Sequence, residues 1–205
     1  MFIKVGGPNG SGKTTVTTQL EELGRSFGLS IERVKGGDIL LALANVATYD
    51  ELRRIPEEVR AGLRPEMYRI MYEMDRNDPG TIRVRDAHFT LFDECTSRFV
   101  EGELQNGDKD QMLMMIVLNP SREMLLQRRL IDINRVDRSL EPDHIELEIS
   151  TELRFARRQA RAINVKLLEL PNPDGQLEAT TLEIINEIRQ QMVLKEGGAI
   201  RFFER

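Results

Sequence analysis

The sequence predicts an α/β domain, a mostly parallel sheet covered by helices on both faces, on three observations. Apolar runs of strand length alternate with stretches of helical periodicity along the chain. One run, Met112-Leu113-Met114-Met115-Ile116-Val117-Leu118, is apolar at every position, as a parallel strand buried on both sides should be. The first run leads directly into a glycine-rich segment and then a helical pattern. At 205 residues with 40% hydrophobic content the chain suits one globular domain, 1–205, with room for a substantial core.

The elements follow in order. Phe2–Val5 reads as the first strand, and Val16, Leu20, Leu23 and Phe27 recur at helical spacing behind the glycine segment. Ile31–Lys35 is the second strand. Ile39, Leu40 and Leu43 then open a helical segment of about 38–78, in which Tyr49 to Asp75 keeps the helical pattern. Asn77-Asp78-Pro79-Gly80 is a turn signal before a third strand, Thr81–Arg85, which is more polar than a central strand should be. Asn106-Gly107-Asp108 forms a loop ahead of the fourth strand, Met112–Leu118, whose methionines read as core filling. A helix N-capped after Asn119-Pro120-Ser121 carries Arg128 and Arg129. A later helix carries Arg154, Arg157, Arg158 and Arg161. Of these, Arg154, Arg158 and Arg161 share a face, poised either for function or for ion pairs with Glu148 and Glu152. Val165–Leu170 is the fifth strand, and Asn172-Pro173-Asp174-Gly175 turns the chain into a last helix from about Leu177 to Gln191. The tail from Glu196, with Ile200, Phe202 and Phe203, has three open fates: fraying, docking on the sheet edge, or a subunit contact.

Composition narrows the function. A formal charge of −5 argues against a broad nucleic-acid surface. The 23 arginines against 6 lysines reflect either surface preference or a set of phosphate clamps that use the planar guanidinium fork. Cys95 is the single cysteine, which excludes an intramolecular disulfide and reads as an inert thiol. The first strand begins at the first residue, leaving no room for a leader, and no apolar run approaches the ~20 residues of a membrane span. A cytoplasmic enzyme is the expectation.

Gly7, Pro8, Asn9, Gly10, Ser11, Gly12, Lys13, Thr14 and Thr15 carry the chemistry, as a G-x-x-x-x-G-K-T loop between strand and helix. The glycines let the backbone take positive φ and approach an anion. Successive N–H groups then form a concave nest for phosphates, and the helix N-terminus adds its positive dipole end. Lys13 supplies a charge to the β/γ oxygens, and the Thr14 hydroxyl can ligate Mg²⁺. This segment predicts binding of a nucleoside triphosphate, ATP·Mg²⁺ by default.

Other candidates lie near the carboxyl ends of strands, where α/β sheets hold ligands. Asp38, after Gly36-Gly37, is either a ligand group or an N-cap. Arg53, Arg54, Arg60 and Arg64 follow on the helical segment, with Arg53 and Arg54 the candidates for an acceptor phosphate. Asp86 ends the third strand, positioned either to hold Mg²⁺ opposite Thr14 or to pair with Arg83 or Arg85. His88 is a substrate contact or a turn residue. Arg128, Arg135 and Arg138 flank a short flap that can close over the phosphates, stabilise the transferring group and exclude water.

These motifs together resemble the P-loop nucleoside-monophosphate kinases, most closely the archaeal-type adenylate kinases. The resemblance spans about residues 2–190 and rests on Gly7–Thr15, Gly37-Asp38-Ile39-Leu40, Asp86-Ala87-His88, Arg128-Arg129-Leu130 with Asp132 and Arg135, and Val165-Lys166. It implies a three-layer α/β/α P-loop NTPase fold with strand order 2-3-1-4-5 and an arginine-rich lid at about 130–143. It also implies ATP as donor, AMP or another nucleoside monophosphate as acceptor, and a homo-oligomer, trimer or dimer. The chain departs from the family in its Asp137-Arg138 order and in a helix after the lid that is about one turn shorter.

The sequence therefore predicts an adenylate kinase-like enzyme. Its rivals are a P-loop kinase of a small hydroxylated metabolite, which needs a base, and a nucleotide-dependent switch or assembly ATPase. Lys13→Ala is expected to abolish turnover while leaving the far-UV circular dichroism spectrum intact; full activity in that variant would refute the donor site.

Overall fold

The computed structural model describes residues 1–93, 98–102, 104–132 and 138–203, so the expectations placed on Cys95 and Arg135 lie outside the described residues. The chain order is β1 (Phe2–Gly6), α1 (Lys13–Ser26), β2 (Ile31–Val34), α2 (Gly36–Ala44), α3 (Tyr49–Arg54), α4 (Glu57–Asn77) and β3 (Ile82–Asp86). It continues with β4 (Thr90–Asp93), β5 (Arg98–Glu101), α5 (Asp108–Gln111), β6 (Met112–Leu118), α6 (Arg122–Ile131), α7 (Pro142–Ile163), β7 (Lys166–Leu170) and α8 (Leu177–Phe203).

A five-stranded sheet has the order β2-β3-β1-β6-β7, and every pairing in it is parallel. The order corresponds to the expected 2-3-1-4-5 once a separate antiparallel hairpin, β4–β5, is set aside. The sequence reading missed that hairpin, because its strands are four residues each and β5 alternates exposed and half-buried positions.

The pleat sends alternate residues of each strand to opposite faces. Ile3 and Val5 of β1 pack with Val16 and Leu20 of α1 and with Ile184, Ile185 and Ile188 of α8 on one face. Phe2, Met112, Met115 and Val117 pack with Phe155, Ala156 and Ala160 of α7 on the other. β6 is buried at all seven positions, the methionines filling the core as their pattern predicts. Val34 of β2, Met67 and Met71 of α4, and Ile39, Leu40 and Leu43 of α2 build a smaller cluster at the sheet edge.

Three readings change. The segment from Tyr49 is not one helix: Ile55, held extended before Pro56, separates α3 from α4. Asp38 is not an N-cap, because α2 begins two residues earlier and Asp38 sits in its first turn. The last helix does not stop near Gln191 but runs on to Phe203. Ser121 does cap α6, its hydroxyl accepting the Met124 N–H at 3.3 Å. Among the described residues no helix is long and apolar enough to cross a membrane.

Ile116 is fully buried in an interior strand. Ile116→Ala is expected to cost about 2–5 kcal/mol in urea unfolding with an unchanged m-value; a loss below about 1 kcal/mol would show that β6 is not the core strand.

Candidate functional site

The glycine segment forms a loop between β1 and α1, with Gly7, Gly10 and Gly12 at φ 144°, 92° and 93°. Gly12 is the left-handed N-cap of α1, and a Cβ there would lie 2.5 Å from the Asn172 amide nitrogen. Lys13 is buried, and its ammonium donates to the Gly7 and Pro8 carbonyls at 2.8 and 3.2 Å. Burial lowers its pKa, against the opposing pull of Asp86. The loop opens on a cavity of about 590 Å³ that Lys13, Thr14 and Thr15 line together with Arg128, Arg138 and Asn172.

The rear of the loop is braced by side chains from α6, α7 and the turn after β7. Arg129 is buried; its guanidinium donates to the Asn9 carbonyl at 2.8 and 3.0 Å, to the Ser139 carbonyl at 2.9 Å and to Glu148 at 2.6 Å. Glu148 in turn accepts the Asn9 N–H at 2.9 Å, so the pair holds both backbone polar groups of one loop residue. Arg128 donates to the Ser11 carbonyl at 3.0 Å, to the Asn172 carbonyl at 2.6 Å and to Asp174. The Asn172 amide reaches the Ser11 carbonyl at 2.8 Å.

Asp86, at the carboxyl end of β3, faces the loop, and its carboxylate accepts from the Thr14 hydroxyl at 3.2 Å. Two hard oxygen donors beside a polyphosphate nest fit Mg²⁺, which takes few protein ligands and completes its shell with phosphate and water. His88 lies beside Asp86. Its Nδ1 is 3.2 Å from Glu152, a carboxylate buried on α7 that also accepts the Phe89 N–H at 2.9 Å and the Thr90 hydroxyl at 3.0 Å.

Asp86 and His88 line a second cavity as well, of about 540 Å³, between α4, the β4–β5 hairpin and the sheet. Phe2, Met67, Tyr68 and Met71 give it apolar and aromatic walls, and Lys4, Arg64 and Arg85 bring positive charge. Pro65, inside α4, has no N–H for the Ala61 carbonyl, and both residues line this space.

The loop residues, Asp86, His88, Arg128 and Arg138 therefore meet around connected space. Arg138 pairs with Asp132 at 2.8 Å, and its guanidinium lies 3.7 Å from where a Cβ on Gly10 would stand. Asp38, Arg53 and Arg54 do not join them. Asp38 bonds the Tyr49 hydroxyl, whose pKa burial and that bond push up to about 12. Arg53 pairs with Asp50 in solvent, and Arg54 is exposed. Of Arg53, Arg54, Arg60 and Arg64, the one that lines the second cavity is Arg64, within α4 beyond the break at Ile55. Glu148 and Glu152 serve Arg129 and His88 rather than the arginine face of α7; on that face Arg158 pairs with Glu101, while Arg157, off it, pairs with Glu169. Lys4, Arg129, Glu148, Glu152 and Asn172 were not singled out as site residues. Arg129 lay in the quoted Arg128-Arg129-Leu130 motif, and Asn172 carried a positional signal, since it follows a strand's carboxyl end.

The parallel sheet order and the strand–loop–helix unit give the chain the P-loop NTPase fold. No family model matches the chain, and no curated protein does. Solved structures share its fold: shikimate kinase from Acinetobacter baumannii in complex with shikimate aligns with a TM-score of 0.53 at 18% identity, over 95% of this chain and 93% of that one. Shikimate kinase from Aquifex aeolicus gives 0.54 at 14% identity, over 97% and 98%. At these identities the likeness is one of fold, and it extends over nearly the whole chain.

Breaking a buried ion pair strands the surviving charge. Arg129→Met is expected to destabilise the protein by about 3–5 kcal/mol and to weaken ATP binding. Adding Glu148→Leu should restore most of the stability but not the ATP affinity; recovery of both, by denaturation and calorimetry, would show that the brace does not shape the loop.

Proposed function

We propose that the chain is an ATP·Mg²⁺-dependent phosphotransferase whose acceptor is a small hydroxylated metabolite held in the second cavity. The observation that carries this reading is the position of Asp86 and His88 on a wall common to both cavities, with His88 backed by a buried carboxylate. An alcohol needs a group to take its proton as it attacks phosphorus, and a histidine oriented by a carboxylate can do that. The shared fold with shikimate kinases, one of them solved with a small hydroxylated metabolite bound, lends further support.

In this reading the loop amides and Lys13 hold the β and γ phosphates of ATP, and Thr14 and Asp86 would hold Mg²⁺, which when bound would supply positive charge against the phosphates. With Nδ1–H donated to Glu152, His88 Nε2 accepts the acceptor's hydroxyl proton. The freed oxygen bonds to the γ phosphorus, and the bond from phosphorus to the β,γ-bridging oxygen breaks to leave ADP. Arg138, and by sequence Arg135, neutralise charge on the moving group, while Arg128 holds the loop.

A second reading, transfer to a nucleoside monophosphate, is favoured by the apolar and aromatic lining of Phe2, Met67, Tyr68 and Met71 beside Arg64. Such a wall suits a flat base near a cation. A phosphate acceptor is already a nucleophile and leaves His88 without a proton to take.

One assay separates them: ADP formation against sugars, polyols and hydroxy acids on one side and nucleoside monophosphates on the other. An alcohol acceptor, with a His88→Asn variant slowed about 10²–10⁴-fold in kcat, is the expected result. Turnover with nucleoside monophosphates alone would replace the first reading by the second. Hydrolysis indifferent to any acceptor would remove both in favour of a nucleotide switch.

A further inference from the structure

The interior of the second cavity holds a pair of cations that the phosphoryl step does not use. Lys4 of β1 and Arg85 of β3 are register partners across two parallel strands, and both side chains line this space. Both are buried. Like charges on adjacent positions of neighbouring strands repel, and a buried charge is normally paired. Lys4 is not: its ammonium donates to the neutral Gln159 amide oxygen at 3.0 Å and stands 4.6 Å over the Phe89 ring. Among the described residues no carboxylate lies within ion-pair distance of it. An ammonium has three donors, so hydrogen-bonding capacity is left over.

Arg85 is better held but not fully used. One terminal nitrogen meets Asp75, its plane lies 3.5 Å from the centre of the Phe2 ring, and its Nε is buried without a hydrogen-bond partner. Asp75 is shared with Arg83, at 3.7 Å. The other acidic groups near the pair are committed. Asp108 accepts from the Tyr72 hydroxyl at 2.6 Å and the Gln105 N–H at 2.9 Å, and Glu152 serves His88, Phe89 and Thr90. Burial is the largest influence on both cations and lowers the pKa of each.

We propose that Lys4 and Arg85 form a cationic floor to the acceptor cavity that receives an oxyanion, a carboxylate or a phosphate, carried by the acceptor. Apolar side chains at these two positions would continue the core of β1 and β3 at no desolvation cost, so an arrangement with spare donors makes physical sense if a bound anion completes it. Asp86 follows Arg85 along β3 and lines the same cavity, so the cationic floor and the wall shared with the loop's cavity bound one space. The inference rests on the phosphotransferase reading and narrows it: the acceptor is a hydroxylated compound that also carries an oxyanion.

The test is calorimetry on the full chain with its donor loop filled by magnesium and a non-hydrolysable ATP analogue. Glycerate and glycerol phosphate are titrated as the two oxyanion probes, with glycerol as the uncharged control. At least one oxyanion probe is expected to bind more tightly than glycerol by tenfold or more. Lys4→Gln, which keeps a polar contact for Gln159, should erase that advantage, and Lys4→Arg should recover part of it. Whichever probe responds identifies the anion. Equal binding of glycerol and both anions, or an anion preference that survives Lys4→Gln, would overturn the proposal. Failure of the ATP analogue to bind would instead sink the phosphotransferase reading, and the comparison of Lys4 variants would still report on the floor.

Discussion

A loop that turns its amides inward to meet phosphate must turn carbonyls outward, and those carbonyls need donors of their own. Every brace around this loop answers that constraint. The Asn9 carbonyl is taken by Arg129, the Ser11 carbonyl by Arg128 and Asn172, and the Gly7 and Pro8 carbonyls by Lys13. The remaining turn is closed by backbone, with the Ser11 N–H on the Pro8 carbonyl at 3.1 Å and the Val16 N–H on the Gly12 carbonyl at 2.9 Å. The side-chain donors to these carbonyls come from α1, α6 and the turn after β7, and α7 adds Glu148 as the acceptor of the Asn9 N–H. The nest is thus held open by elements distant in sequence, which is what preorganised electrostatic stabilisation requires.

That constraint divides the arginines after β6 by role. Arg128 and Arg129 are adjacent, yet Arg129 is buried against Glu148 and Asn9, while Arg128 runs along the loop's side to Asp174. Both support the loop from behind or beside it. Arg138, whose ion pair among the described residues is with Asp132, lies close to Gly10 and lines the cavity on the loop's open side, as Arg128 also does. Three residues of one type in a short stretch therefore answer different demands. An ion pair with Glu148 makes Arg129 expensive to change, whereas Arg138, held by one half-exposed partner, can trade that partner for a ligand oxygen.

The fold was legible because the strong signals coincide with hydrophobic period: β1, β6 and the strand–loop–helix unit follow from apolar runs and glycine spacing. The loop side of the candidate site was legible as a local structure for the same reason, since a strand–loop–helix unit is encoded locally. The second cavity was not. Its walls come from α4, the β4–β5 hairpin and the interior face of β1 and β3, and no local pattern announces that these meet. Arg53 and Arg54 looked as promising as Arg64 until Ile55-Pro56 redirected the helix. Glu152 read as a surface partner for arginines, although its place on the buried side of α7 delivers it to His88.

The strand that sequence treated as weakest explains most about the site. β3 is polar at Arg83, Arg85 and Asp86, yet its first four positions are buried. Arg83 reaches Glu32 at 3.2 Å and Asp78 at 3.3 Å, so one cation of the strand is neutralised at the sheet's edge. Arg85 and its neighbour Lys4 line the second cavity, and Asp86, which lines both cavities, meets Thr14. One residue step along β3 thus separates the carboxylate bonded to Thr14 of the loop from a cation inside the second cavity. A strand buried for packing alone would be apolar here. Under the proposed function, adjacent basic and acidic groups at the sheet's carboxyl end would serve the acceptor cavity and the metal respectively.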